Sequence, residues 1–295
     1  MKMKHLKIKK LLLAALLLPL LFITASCGDP AIEAFEQYEP KIVVNAYLFV
    51  GTTVSDIRIL RNYPVGTTIE SSKQYLTPAQ STVVTINGTV LDYNPITKSY
   101  FSNSITVQPK TAYSLQVTSV VDGRKLECSA VTTTPNVGFA LESKNLGTVS
   151  YNGNKPVISF KPTEGAYSYS FSFRPDSASL DSFIYDNIFE SDITREDVAK
   201  DFNGYYLQWD MVINIDTKIS GFFDYVTEWW DIWFYGPYTI YAYAGDINMR
   251  DFLMTATDIQ EPDGNFFEPA FYIKGDGIGV FGSAVRDSLT LRVTK

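Results

Sequence analysis

Few residues in this chain could carry chemistry, and their spacing narrows the choice further. The 295 residues include one histidine, His5, and two cysteines, Cys27 and Cys128. Ser-His-Asp and Cys-His nucleophile systems need an imidazole beside the nucleophile, and most zinc, copper and non-haem iron sites are built on imidazole ligands. His5 falls in the leader described below, so the exported chain has none. Two cysteines are too few for a multi-cysteine metal or iron–sulfur site. Gly-x-Ser-x-Gly, Ser-x-x-Lys and Gly-x-x-x-x-Gly-Lys patterns are absent, which removes the common nucleophile-elbow and phosphate-loop chemistries. No catalytic residue and no metal or cofactor site is therefore assigned.

Four patterns remain. Gly277-x-Gly279-x-x-Gly282 has the glycine spacing of a dinucleotide turn, but that turn must open a helix inside a βαβ unit, with an acid some 20 positions later. Here Leu289, Leu291 and Val293 alternate as a strand, so the glycines are expected to permit a bulge or a close backbone approach. The second pattern is Trp229, Trp230, Asp231, Trp233 and Tyr235, a dense aromatic patch that could stack a glycan or receive a peptide. As a strand it would place Trp229, Asp231, Trp233 and Tyr235 on one face and Trp230, Ile232 and Phe234 on the other, so at least one face is expected to be core. Third, Asp176, Asp181, Asp186, Glu190, Asp192, Glu196, Asp197 and Asp201 form an acidic run without the spacing of a calcium loop, which reads as a solvated helix and its approaches. Fourth, Asp210, Asp224, Glu228 and Asp231 could furnish the two carboxylates of a glycosidase. With 32 acids in the chain, that choice has little specificity.

Cys27 has the clearest assignment. Lys2, Lys4, Lys7, Lys9 and Lys10 precede an apolar run from Leu11 to Ile23, and Thr24-Ala25-Ser26 leads into Cys27. This is an export signal, too short and too interrupted by Pro19 to span a bilayer. A cysteine directly after it, with one other cysteine in the chain, is expected to carry the lipid of a lipoprotein. Loss of residues 1–26 removes five lysines and no acids, taking the formal charge from −7 to −12. Such a balance, with no basic stripe, argues against a nucleic-acid partner.

The elements that would position these residues are mostly strands. Ile42, Val44, Ala46 and Leu48 share a face, as do Tyr113, Leu115 and Val117; Asn87-Gly88 and Asp122-Gly123 have the chemistry of type I′ hairpin turns. Cys128 alternates with Leu126 and Ala130, as a buried thiol would. After the Thr132–Gly138 linker, Tyr167, Tyr169, Phe171 and Phe173 alternate with serines, predicting one buried face and one wet face. Tyr205, Leu207, Trp209, Met211, Ile213 and Ile215 repeat the pattern, with the apolar residues expected inward. Thr194-x-x-Asp197 predicts a capped helix to about residue 202, and Met249, Phe252, Leu253 and Ala256 predict another after Asp246. The fold class is mainly β: two antiparallel β-sandwich domains, immunoglobulin-like or prealbumin-like, with one or two short helices in the second. The expected organisation is a signal at 1–26, a lipidated tether at 27–38, one sandwich at 39–134 and an aromatic-rich sandwich at 135–295.

Three segments carry a resemblance to a known family. Tyr38-Glu39-Pro40-Lys41-Ile42-Val43-Val44-Asn45-Ala46-Tyr47-Leu48, then Lys110 to Val117, then Asn265-Phe266-Phe267-Glu268-Pro269 with Gly277 to Gly282, are similar to the Bacteroidota lipoproteins grouped as domain of unknown function 4249. Asp276 stands where relatives often have another glycine. The resemblance implies an outer-membrane lipoprotein accessory to a TonB-dependent receptor, and it transfers no catalytic residue. The expected function is non-enzymatic binding of a ligand or receptor, held to the membrane by Cys27. A structural or adhesive surface subunit is the alternative, and a glycan-acting enzyme is the third.

Overall fold

Ile42, Val44, Ala46 and Leu48 are 0–1% exposed while their neighbours are half-buried or exposed, so the alternation in the sequence becomes the first strand. The computed structural model describes residues 38–64, 66–68, 76–187, 192–213, 215, 220–256, 269–270 and 272–295. The leader, Cys27, Glu190, Asn214, Asp216 and 265–268 lie outside the described residues.

The first half supplies β1 (Ile42–Phe49), β2 (Thr53–Arg61), β3 (Val83–Ile86), β4 (Thr89–Val90), β5 (Asp92–Asn94), β6 (Ser99–Thr106), β7 (Ala112–Val121) and β8 (Arg124–Thr133). The second supplies β9 (Ala140–Leu141), β10 (Asn145–Ser150), β11 (Val157–Lys161), β12 (Ser168–Pro175), β13 (Gln208–Ile213), β14 (Phe223–Val226), β15 (Gly236–Gly245), β16 (Ile273–Gly275) and β17 (Gly277–Thr294). Its helices are α1 (Arg195–Lys200), α2 (Phe202–Tyr206) and α3 (Ile247–Ala256). Both turns read from the sequence form, with φ of +49° and +78° at Asn87-Gly88 and +50° and +76° at Asp122-Gly123, the left-handed pair that a type I′ turn needs. Thr194 and Asp197 close the capping box of α1 reciprocally. The acids of the 176–201 run disperse: Asp176 accepts from Thr239, Asp181 pairs with Arg195 at 2.8 Å, and Asp197 serves the cap.

The chain is mainly β, and its described residues form three sheets. One has nine strands, in the order β13-β12-β15-β17-β1-β2-β6-β5, with β10 also on β17; β16-β8-β7-β3-β4 and β14-β11-β9 are the others. Two cores result. The first is built from residues 42–130 plus Phe281, and the second from residues 139–293. Apart from Phe281, the residues of the two cores lie on either side of position 134, while the nine-stranded sheet draws strands from both sides. Pro40–Lys295 cluster as one unit, because β17 pairs in parallel with β1 along its first half and antiparallel with β15 from Ala284 onward, while β16 pairs with β8.

The three glycines of the 277–282 pattern make this return of the chain possible. A Cβ on Gly277 would stand 2.6 Å from the Cys128 Cβ, and one on Gly279, whose φ is +105°, would stand 2.1 Å from the Val44 carbonyl oxygen. Gly282 faces the first turn of α3, where a Cβ on it would stand 3.2 Å from Met249. The pattern serves three close approaches within a strand.

Candidate functional site

Several sequence expectations meet on the outer face of the nine-stranded sheet, the face turned away from both cores. Residues directly opposite in an antiparallel ladder share a face, so the register assigns each side chain. Met211, Ser170, Tyr243 and Arg286 form one row across β13, β12, β15 and β17, and Trp209, Ser172, Tyr241 and Ser288 form the next. Tyr169, Phe171 and Phe173, 0–1% exposed, point the other way into the second core.

This corrects two expectations. The serine face of β12 is not wet: Ser168 and Ser170 are 0% and 4% exposed, because α3 and β13 cover it. The strand after α2 is inverted. Asp210 lies opposite Phe171 on the core side, and Trp209, 41% exposed, lies on the outer side with Met211 and Ile213. The predicted strand also begins later, since Tyr205 belongs to α2.

Helix α3 reaches the sheet because Gly245 and Gly282 leave room for it. A Cβ on Gly245 would meet the Met249 sulfur at 2.9 Å and the Ser168 hydroxyl at 3.0 Å. Asp246 caps the helix and pins it. Its carboxylate accepts from the Met249 amide at 3.0 Å, the Ser283 amide at 3.1 Å and the Thr132 hydroxyl. Asn248 donates to the carbonyls of Val131 and Phe281 at 2.8 and 2.9 Å. Burial raises the Asp246 carboxyl above the ordinary range while the Thr132, Met249 and Ser283 donors pull it back. The Tyr47 phenol is pushed up to about 12, first by burial and then by the Asp246 carboxylate.

Between α3 and β13 lies a cavity of about 340 Å³, inside the range of small-ligand pockets. Its floor is Ser170, Ser172 and Tyr243, its walls are Met249 and Leu253 on one side and Leu207 and Trp209 on the other, and Tyr47 and Phe49 close one end. No ionisable carboxylate or amine lines it. The Ser170 hydroxyl has no hydrogen-bond partner among the described residues, although such groups are normally satisfied when buried.

The aromatic patch nominated from the sequence lies elsewhere. Its predicted strand does not form: Trp229–Asp231 is a 3₁₀ turn, and a turn does not alternate its side chains between two faces as a strand would. Trp229, Asp231 and Trp233 are 4%, 3% and 8% exposed, Tyr235 is half-buried, and Trp230 is 49% exposed. Trp229 meets Tyr151 edge-on at 5.2 Å, and Trp233 stacks on Phe183 at 5.9 Å and meets Tyr205 edge-on at 4.9 Å. Just after the turn, the Tyr238 hydroxyl accepts from the Phe234 amide at 3.0 Å. Four of the five nominated residues thus pack wholly or partly into the second core, and Trp230 is the exposed member of the patch.

Of the nominated carboxylates, Asp210 and Asp231 lie close enough to influence each other, Asp231 buried and Asp210 half-buried. Asp210 accepts from the Tyr225 hydroxyl and from the Met211 amide, and Tyr225 stacks on Phe171 with ring centroids 4.7 Å apart. Asp231 has one oxygen without a hydrogen-bond partner among the described residues. Burial, and then the neighbouring Asp210 charge, push its carboxyl up to about 7. Asp224 is exposed and bound to Ser159, and Glu228 pairs with Lys155. Among the described residues, no group of three or more His, Cys, Asp or Glu side chains is placed to hold a metal ion.

The groove escaped the sequence reading because it is assembled from β1, β12, β13, β15 and α3. The available signal was Trp209, an indole on a short strand whose opposite face carries a carboxylate. Compared with curated proteins, the sequence finds no match. Among solved structures it is similar to Sidekick-1 immunoglobulin domains 1-5, at 11% identity over 86% of this chain with a TM-score of 0.22, and it spans 39% of that chain. It is also similar to S-layer protein SbsC domains 4 and 5, at 10% identity over 88% of this chain and 98% of that one, with a TM-score of 0.18. The three segments noted in the sequence fall within a longer match, residues 30–285. The chain belongs to the family described as Domain of unknown function (DUF4249).

Proposed function

We propose that this chain is a non-enzymatic binding lipoprotein, tethered to the outer membrane through Cys27 and receiving an apolar ligand in the groove between α3 and β13. The observation that carries the reading is the inversion of β13. An edge strand that turns Trp209 outward and Asp210 inward works against burial of apolar surface, and such exposed apolar patches are typically kept for binding. The leader and the family resemblance support the anchor, and the resemblance supports delivery to a TonB-dependent receptor.

N-phenylnaphthylamine, a neutral apolar probe that brightens in dry sites, tests the groove. The full exported chain binds it, and Trp209→Ala weakens binding at least about tenfold, the scale of a well-packed aromatic contact. Equal binding by the variant refutes the groove. Cys27→Ala releases the protein from membranes; unchanged membrane association refutes the anchor. Co-purification from native membranes captures the receptor, and repeated recovery of the lipoprotein alone counts against that partner.

A further inference from the structure

The groove does not end at Phe49. A second cavity, of about 350 Å³, shares Tyr47, Phe49 and Tyr243 with it and is completed by Asn45, Asp56, Arg58 and Arg286. The Arg58 and Asp56 side chains pair with each other at 3.0 Å, which leaves Arg286 as the cation without a counter-charge at this end. Its guanidinium sits 4.8 Å above the Phe49 ring, and no carboxylate lies within ion-pairing distance of it among the described residues. It also lies close enough to Tyr243 to offset part of the upward shift that burial gives that phenol.

From the register, Ser170, Tyr243 and Arg286 occupy adjacent strands in one row. Strands stand about 4.8 Å apart, so the orphaned hydroxyl and the base of the arginine are about 10 Å apart, with a tyrosine ring between them. An unpartnered buried hydroxyl at one end, aromatic and aliphatic walls in the middle, and an uncompensated guanidinium at the other define a ligand by complementarity. The whole chain is acidic, at −7, so a cation at the groove mouth discriminates for anions locally against the general field.

We infer that the groove takes a hydroxyaryl carboxylate, with its ring on the aromatic lining beside Trp209 and Tyr243, its carboxylate on Arg286 and its hydroxyl on Ser170. The inference rests on the groove being the binding site. It names the ligand class by three complementary contacts, of which the guanidinium–carboxylate pair is the strongest.

Calorimetric titration of the full exported chain with para-coumarate, with its neutral amide and with cinnamate, which lacks the hydroxyl, tests each contact. Para-coumarate binds at least about tenfold tighter than the amide, the scale expected for one charge-assisted pair. Arg286→Gln erases that preference, and Ser170→Ala brings para-coumarate down to the affinity of cinnamate. Arg286 is exposed and the Ser170 hydroxyl bonds nothing, so both variants should fold as the parent does, and circular dichroism checks this. Equal binding of acid and amide, or a preference that survives Arg286→Gln, overturns the ligand class. So does failure of all three to bind. In each of these cases retained binding of N-phenylnaphthylamine, sensitive to Trp209→Ala, shows that the groove itself still stands.

Discussion

Asp231→Asn isolates the least comfortable charge in the described core. Burial and the Asp210 charge move the Asp231 carboxyl from 3.8 to about 7, so between those values the folded chain holds a proton that the unfolded chain has released. Stability attributable to this group is therefore complete below about pH 4, falls as the pH rises towards 7, and is lost above that. At 1.36 kcal/mol per pH unit the full displacement is worth about 4 kcal/mol, an upper bound because water reaching the pair would reduce it. Asparagine keeps the shape and cannot ionise. Relative to the parent, the variant gains up to about 4 kcal/mol at about pH 8 and almost nothing at about pH 4. Urea denaturation followed by tryptophan fluorescence at the two pH values measures the difference, since Trp229 and Trp233 pack within the same core. Asp246 is also raised by burial and contributes a slope of the same sign, but it is present in both proteins and cancels in the comparison. Parallel pH profiles for parent and variant would refute the reasoning, because they would mean that Asp231 is already ionised across this range or is wet.

Gly279→Ala should prevent stable folding, at a cost upward of about 3 kcal/mol, because the new Cβ would stand 2.1 Å from the Val44 carbonyl oxygen at a φ of +105°; a thermal melt like that of the parent refutes the close approach. Trp229→Ala should cost about 3–5 kcal/mol by emptying part of the second core, whereas Trp230→Ala, at a position 49% exposed, should cost less than about 1 kcal/mol; urea midpoints of the two variants decide between core and surface for this patch. In a chain carrying Cys27→Ala, Cys128, whose thiol is pushed up to about 12 by burial and then by Asp276, should resist a maleimide at about pH 8 until denaturant is added; rapid labelling of the native protein would place that thiol at the surface.

Where a signal is local, the sequence carries it through to the structure. β1 and β7 follow from period-two alternation, two hairpins from Asn87-Gly88 and Asp122-Gly123, α1 from its capping box and α3 from the spacing of Met249, Phe252, Leu253 and Ala256. What was not legible depends on partners distant in the chain. Alternation in β13 is visible, but which face is core depends on β12, some 40 positions earlier. Burial of the serines of β12 depends on α3. The 3₁₀ turn at Trp229–Asp231 defeats any assignment of faces by twos.

The groove is coupled to the junction between the cores through α3. One wall of the groove, Met249 and Leu253, is carried on a helix whose N-terminus is fixed by Asp246 and Asn248 to β8 and β17. Thr132, near the C-terminal end of β8, spans 114 positions to reach Asp246. Replacing Thr132 by valine removes a hydroxyl that the buried carboxylate uses and leaves the shape nearly unchanged, at a cost of about 1–3 kcal/mol for an acceptor left short of a donor. The loss falls on the seat of α3 rather than on either core. Binding of N-phenylnaphthylamine by Thr132→Val should therefore weaken under conditions where the chain is still folded by circular dichroism. Parallel loss of binding and fold would show instead that the helix and the cores melt as one, and that the junction holds the whole molecule rather than positioning the groove.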